Sequence, residues 1–337
     1  MLQPLTQASG CPVLNDPPPV TPYRVIYRGG KASVRHYAAV GQSRRTPVVL
    51  VYALIKRPFI LDLQPGNSVI ESLTRQGFEV FLIDWLPPTP ADSWRGFDAY
   101  VNHDLANAVR AVQLYQGVDQ VSVLGYCLGA LLAVIYAALH GQHVKTLVTI
   151  ALPLDMSLRE LPAYYLIDWL DESAIDWFTT TYGNCPAWWL KNLFSAMSSM
   201  YRVGEHFGLN PESERDRYAR RSAAFRRWLD SEVPIAGRLV RELAIDIFKQ
   251  NRLMHGRLTV GGESVDLSRI TAPVLNVVAS QDVLVDPKSS LPLLDLVASD
   301  DKTNLLFPTG HLGAVMSDQA HAKLWPEIGA WLSQRDQ

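Results

Sequence analysis

The chain has 337 residues, 48% of them hydrophobic and 19% charged, with a formal net charge of −2. That supplies apolar material for one large core and is long for a single ordinary domain, so one α/β domain carrying an insertion fits better than two independent domains. Lys and Arg are spread along the chain without a basic stripe, which argues against a nucleic-acid partner, and no long acidic tail points to a charged one. The three cysteines, Cys11, Cys127 and Cys185, match neither a zinc-site spacing nor a disulfide framework, so no metal or cofactor is expected and a reducing compartment is. The N-terminus lacks a basic region followed by an apolar run, and no stretch is apolar for long enough to span a bilayer, so the expectation is a cytoplasmic protein with no transmembrane segment.

In chain order, residues 1–22 are rich in Pro and polar residues and read as a mobile N-terminal segment, leaving 23–337 as the folded domain. Arg24–Arg28 and Ser33–Ala38, joined by Gly29-Gly30-Lys31, read as a β-hairpin. Short apolar runs then alternate with amphipathic stretches. Strands are predicted at Pro47–Leu54, Phe78–Asp84, Gln120–Leu124, Thr146–Ala151, Pro273–Ala279 and Thr303–Phe307. Helices are predicted near Gly66–Gln76, Asn102–Gln116, Leu128–His140, Ser289–Ala298 and Ala320–Ser333. The alternation implies a mostly parallel, doubly wound α/β sheet. From about Pro153 to Gly256 it breaks into an aromatic, largely helical block (YYLIDWL, DWF, CPAWWLKNLF, FRRWLD), read as a cap insertion that also serves as an extra packing layer.

The strongest local pattern is Gly125-Tyr126-Cys127-Leu128-Gly129, which follows the apolar run QVSVL and opens the stretch LGALLAVIYAALH. This is a nucleophile elbow with Cys where Ser is usual. The glycines leave room in a tight strand-to-helix turn, and the helix N-terminus favours negative charge beside the sulfur. A buried structural Cys before a helix is the competing reading, and the strand–turn–helix context weighs against it. In the α/β-hydrolase fold, to which such an elbow on a doubly wound sheet points, the acid and then the histidine follow the nucleophile, on loops at the carboxyl ends of late strands. Asp282, just beyond PVLNVVA, and His311, just beyond LLFPT, satisfy order and placement; Asp286 competes as the acid. The other histidines, at 36, 103, 140, 143, 206, 255 and 321, read as surface or packing residues. Backbone oxyanion donors are expected at Leu128 and, from the loop Ala53–Lys56, at Ile55. Asp62, Asp84 and Trp85 lie near strand ends, where shaping the pocket and plain capping or packing are equally open.

These residues resemble the polyhydroxyalkanoate synthases. Besides the Cys elbow, the resemblance rests on Ile60–Trp85 with its LDLQP, on Ile135–His140, on Phe248–Asp282 and on Phe307–Ser317. It runs from about Tyr23 to the C-terminus, interrupted by a divergent cap. The length resembles the short catalytic subunit of two-component, class III-like synthases. The resemblance implies a substrate of 3-hydroxyacyl-CoA and a growing polyester, a covalent Cys-thioester, a non-catalytic partner subunit, homo-oligomers and association with polymer granules. It also leaves two roles for Asp282, orienting His311 or helping to deprotonate the 3-hydroxyl that extends the polymer. An aromatic cap would exclude water and favour polymer over free acid. The chain departs from the family at Ala130, where Gly is frequent, and at Lys56, where Asn is usual. Two other classes fit the same residues: a Cys-triad thioesterase or esterase, and a non-catalytic paralogue that binds an active subunit or a granule.

Overall fold

The computed structural model describes residues 17–158, 171–192 and 223–336. Strands β1 (Arg24–Gly29) and β2 (Ala32–Tyr37) form the expected antiparallel hairpin, with a bulge between Val25 and Tyr27. Gly30 supplies the φ of +54° that its tight turn requires. Six further strands follow: β3 (Val48–Val51), β4 (Val80–Trp85), β5 (Val121–Tyr126), β6 (Val144–Ile150), β7 (Val274–Ala279) and β8 (Lys302–Phe307). Among the described residues they join one eight-stranded sheet in the order β1-β2-β4-β3-β5-β6-β7-β8. From β4 to β8 every neighbouring pair is parallel, while β2 meets β4 antiparallel.

The strand sequences explain why the sheet is covered on both sides. In β3, alternate side chains enter different cores: Val49 and Val51 belong to one apolar cluster, Val48 and Leu50 to the other. Period-two alternation sends apolar groups to both faces, so both must be buried. Helices α2 (Ala106–Gln116) and α3 (Leu128–Leu139) belong to the first cluster. Helices α1 (Val69–Thr74) and α6 (Trp325–Ser333) belong to the second. Helix α3 is apolar almost all round and buried from Gly129 to Leu139, as suits the central helix behind the elbow. Between β6 and β7 lie α4 (Glu172–Tyr182), the Trp228 segment and α5 (Gly237–Glu242).

Several boundaries differ from the sequence reading, each for a local reason. The helix expected from Gly66 starts only at Val69, because Asp62–Gln64 and Asn67–Ser68 pair as a small antiparallel ladder. Ser68 then caps the helix by accepting from the Glu71 amide at 2.9 Å. The helix expected over Ser289–Ala298 splits into Pro287–Ser290 and Leu293–Leu296, since Pro292 has no N–H to continue it. Strand β3 was expected to reach Leu54 and stops at Val51, because the chain beyond it leaves the sheet to pair with residues 231–233. The N-terminal segment is anchored at its end: Thr21 donates from both its amide and its hydroxyl to Asp62, each at 2.8 Å. Residues 1–16, Cys11 among them, and the YYLIDWL block lie outside the described residues.

Candidate active site

The elbow forms where β5 turns into α3. Cys127 has φ 56° and ψ −125°, a conformation that is strained for a non-glycine residue and throws the side chain out of the turn. Three backbone hydrogen bonds fix it: its amide donates to Ile150 at 2.9 Å, and its carbonyl accepts from Ala130 and Leu131 at 2.9 and 3.2 Å. The flanking glycines are dictated by space. A Cβ on Gly125 would stand 2.5 Å from the Ala130 Cα, and one on Gly129 would collide with the Val51 carbonyl at the end of β3. The elbow is therefore wedged against the strand that leads to the Ile55 loop.

The sheet's later strands deliver the other two groups. The His311 Nδ1 and Asp282 Oδ2 are 2.6 Å apart, and Cys127 lies close enough to attract the imidazolium of His311. Cys127, His311 and Asp282 are thus brought together at one place. Asp282 is held from behind, its Oδ1 accepting from the Leu284 and Val285 amides at 2.8 and 3.0 Å. Its side chain is only 1% exposed, so both oxygens are committed. Asp286, the competing acid, is a helix cap instead, accepting from the Lys288 amide at 2.9 Å. Burial disfavours the imidazolium of His311, yet the attraction of Asp282 and of the Cys127 thiolate outweighs it and holds the histidine well above its ordinary range.

Ile55 and Leu128 both pack on the apolar cluster that Cys127 touches, Leu128 as the first residue of α3 and Ile55 in the loop after β3. Three aromatic residues that sequence reasoning did not single out line this region. Tyr126 donates to the His311 carbonyl at 3.0 Å and stacks on Tyr52 with 5.9 Å between centroids. Tyr52 belongs to the same apolar cluster as Trp228, whose indole N–H donates to the Arg57 carbonyl at 3.1 Å. Burial pushes both tyrosine hydroxyls up, so they stay neutral. The place of Tyr126 beside the nucleophile was a usable signal; Tyr52 and Trp228 gave none, because their contact joins distant segments.

The remaining polar candidates are structural. Asp62 binds Thr21 and Ser68. Asp84 is clamped between Arg35 and Arg57, with the Arg57 Nη1 at 2.9 Å. Trp85 donates to the Tyr52 carbonyl at 2.9 Å and packs on Tyr100. Of the other histidines, His36 pairs with Glu79, His140 with Asn102, His143 with Gln113 and His321 with Ser72, while His103 and His255 are exposed. His206 lies outside the described residues. Among the described residues no cluster of three or more His, Cys, Asp or Glu side chains is arranged to hold a metal ion, and no helix is long and apolar enough to cross a membrane.

Residues 46–315 match the family model of the α/β-hydrolase fold. The chain is 34% identical over 94% of its length to the poly(3-hydroxyalkanoate) polymerase subunit PhaC of Haloferax mediterranei, of which it spans 65%. It is 33% identical, again over 94% of its length, to the protein of the same designation from Allochromatium vinosum, of which it spans 89%. Among solved structures, a monoacylglycerol lipase of Paleococcus ferrophilus superposes with a TM-score of 0.56 at 17% identity, covering 91% of this chain and 100% of the lipase. That likeness speaks to the fold alone.

Proposed function

Because the chain belongs to the poly(3-hydroxyalkanoate) polymerases within the α/β-hydrolase fold, we propose that it polymerises 3-hydroxyacyl-CoA into polyester through a covalent thioester on Cys127. The observation that carries this reading is the His311–Asp282 pair, 2.6 Å apart, brought close to Cys127 on a strained elbow. The Cys127 thiolate attacks the thioester carbonyl. The oxyanion that forms is stabilised by the Leu128 and Ile55 amides, and His311 gives its proton to the departing CoA sulfur. One thioester replaces another at little thermodynamic cost, so the acyl group stays activated. The 3-hydroxyl of the next 3-hydroxyacyl-CoA then attacks it, His311 takes the hydroxyl proton, the ester forms on that unit and the Cys127 thiolate is regenerated; its attack on the unit's own thioester releases CoA and returns the lengthened chain to Cys127.

Asp282 acts here by orienting His311. With one oxygen on the imidazole and the other on two backbone amides, it has none to spare for a substrate hydroxyl. The segment between β6 and β7 is the cap in this reading, and Trp228 brings an apolar wall to the site that disfavours water. The word "subunit" in the relatives' designation supports a non-catalytic partner, and homo-oligomers and granule association belong to the same proposal.

The test is to incubate the protein with 3-hydroxybutyryl-CoA, with and without a partner subunit of a two-component synthase, and to identify the product. Polymer that disappears in Cys127→Ala is the expected result. Free hydroxy acid as the only product would make the protein a thioesterase, and no CoA release under any condition would make it a binding paralogue.

A further inference from the structure

We infer that Lys56 and Glu232 are positioning residues that pin the loop carrying the Ile55 amide against the inserted segment. The inference rests on the reading of Ile55 as an oxyanion donor and adds what holds it in place.

Lys56 follows Ile55 directly, and its side chain is 7% exposed, an unusual place for a lysine. Its ammonium donates to Glu232 Oε1 and to the Leu229 carbonyl, each at 2.6 Å, and lies 4.8 Å from the centre of the Trp228 ring. Backbone pairing runs alongside this ion pair. Lys56 and Glu232 form an antiparallel bridge, the Val233 amide donates to the Ile55 carbonyl at 3.2 Å, and the Arg57 amide donates to Ser231 at 3.3 Å. The Trp228 indole adds a fourth tie, to the Arg57 carbonyl at 3.1 Å. Among the described residues, 55–57 therefore belong to none of the sheets. Their backbone is held by residues 228–233.

That arrangement has a mechanistic consequence. An oxyanion donor is useful only if it is fixed before charge develops, because a donor that must reorganise loses its advantage. Stiffness of the Ile55 peptide comes from the Lys56–Glu232 pin and the ladder around it. Burial pushes the Lys56 ammonium below its ordinary range and Glu232 opposes that push, so the two charges depend on each other. Loosening the pin should slow attack on the carbonyl without weakening ground-state binding, which lowers kcat and leaves KM nearly unchanged.

The variants are K56M, K56R, E232Q and K56M/E232Q. The double variant covers the case in which a single change leaves one buried charge unpaired and unfolds the protein. D230N is the control, since Asp230 lies in the same segment but pairs at the exposed surface with Lys191. Two readouts are taken on the full chain, with thermal melting to confirm folding. Hydrogen exchange of the peptide spanning Tyr52 to Pro58 should quicken in K56M/E232Q, stay near wild type in D230N and recover in part in K56R. Initial CoA release from 3-hydroxybutyryl-CoA should fall about tenfold or more in kcat, a part of the loss seen when an oxyanion donor is deleted, with KM changed less than about threefold. Unchanged exchange in a folded K56M/E232Q protein overturns the inference, as does a loss carried by KM. Exchange needs no substrate and CoA release does not depend on the product's identity. Wild type that made only free acid, or released no CoA, would therefore remove the polymerase reading while the exchange result still decided whether the pin exists.

Discussion

Asp282→Asn is the substitution whose effect the geometry constrains most tightly. In the wild type, Asp282 Oδ1 accepts from two backbone amides at 2.8 and 3.0 Å while Oδ2 faces His311 Nδ1 at 2.6 Å. An asparagine has one acceptor for these two sides. If its amide nitrogen faced the Leu284 and Val285 amides, two buried N–H groups would lose their partner, at about 1–3 kcal/mol each. The favoured orientation keeps the oxygen there and turns the NH2 group toward His311. Nδ1 must then accept, which moves the imidazole proton to Nε2, the nitrogen needed to take a proton from the nucleophile or the incoming hydroxyl. Fixing the wrong tautomer in a buried triad costs about 10⁴ in rate, or about 5 kcal/mol at 1.36 kcal/mol per decade. The assay is single-turnover release of CoA from 3-hydroxybutyryl-CoA, which isolates acylation of Cys127 from chain extension. Release within about tenfold of wild type would refute the reasoning. Normal acylation combined with lost polymer would put Asp282 on the substrate hydroxyl instead of on His311.

Three further outcomes are expected. Asp286→Ala should cost about 1 kcal/mol of stability through the lost helix cap, read by urea unfolding, and leave CoA release within about twofold of wild type, since Asp286 caps Pro287–Ser290 while Asp282 holds the imidazole. Asp84→Asn should cost about 3–5 kcal/mol, because Arg35 and Arg57 would both lose the buried carboxylate between them; urea unfolding that shifts by less than about 1 kcal/mol would contradict that role. The pH dependence follows from His311, whose raised value in the folded state means stabilisation fully present below the ordinary histidine range of about 6.5 and lost as pH rises through the raised value. His311→Gln should therefore destabilise the protein more in mildly acidic than in alkaline buffer, and an equal loss in both would contradict the shift.

The sheet was legible because its signals are local. Six apolar runs, punctuated by amphipathic stretches, foretold all of β3 to β8, and Gly29-Gly30-Lys31 foretold the hairpin. The elbow was legible because its glycines are a steric requirement that leaves a five-residue mark, and the late strand ends pointed to Asp282 and His311. What escaped was set by contacts between distant segments. The early end of β3 is decided by residues 231–233, which no window around Val51 contains. Lys56 stood out as a departure in type, but its role depends on Glu232 and Trp228, far away in sequence and adjacent in space. The choice between Asp282 and Asp286 likewise needed coordinates, since both follow the same strand and only one faces the imidazole.

The central claim is that Cys127 carries the growing ester. Its most direct test is intact-mass and peptide mass spectrometry after mixing the protein with a small excess of 3-hydroxybutyryl-CoA and quenching in acid. A ladder of hydroxybutyryl increments, released by hydroxylamine, is expected on Cys127 and should be absent from Cys127→Ala. An unmodified Cys127 in protein that is consuming substrate, or an adduct on another residue, would contradict it.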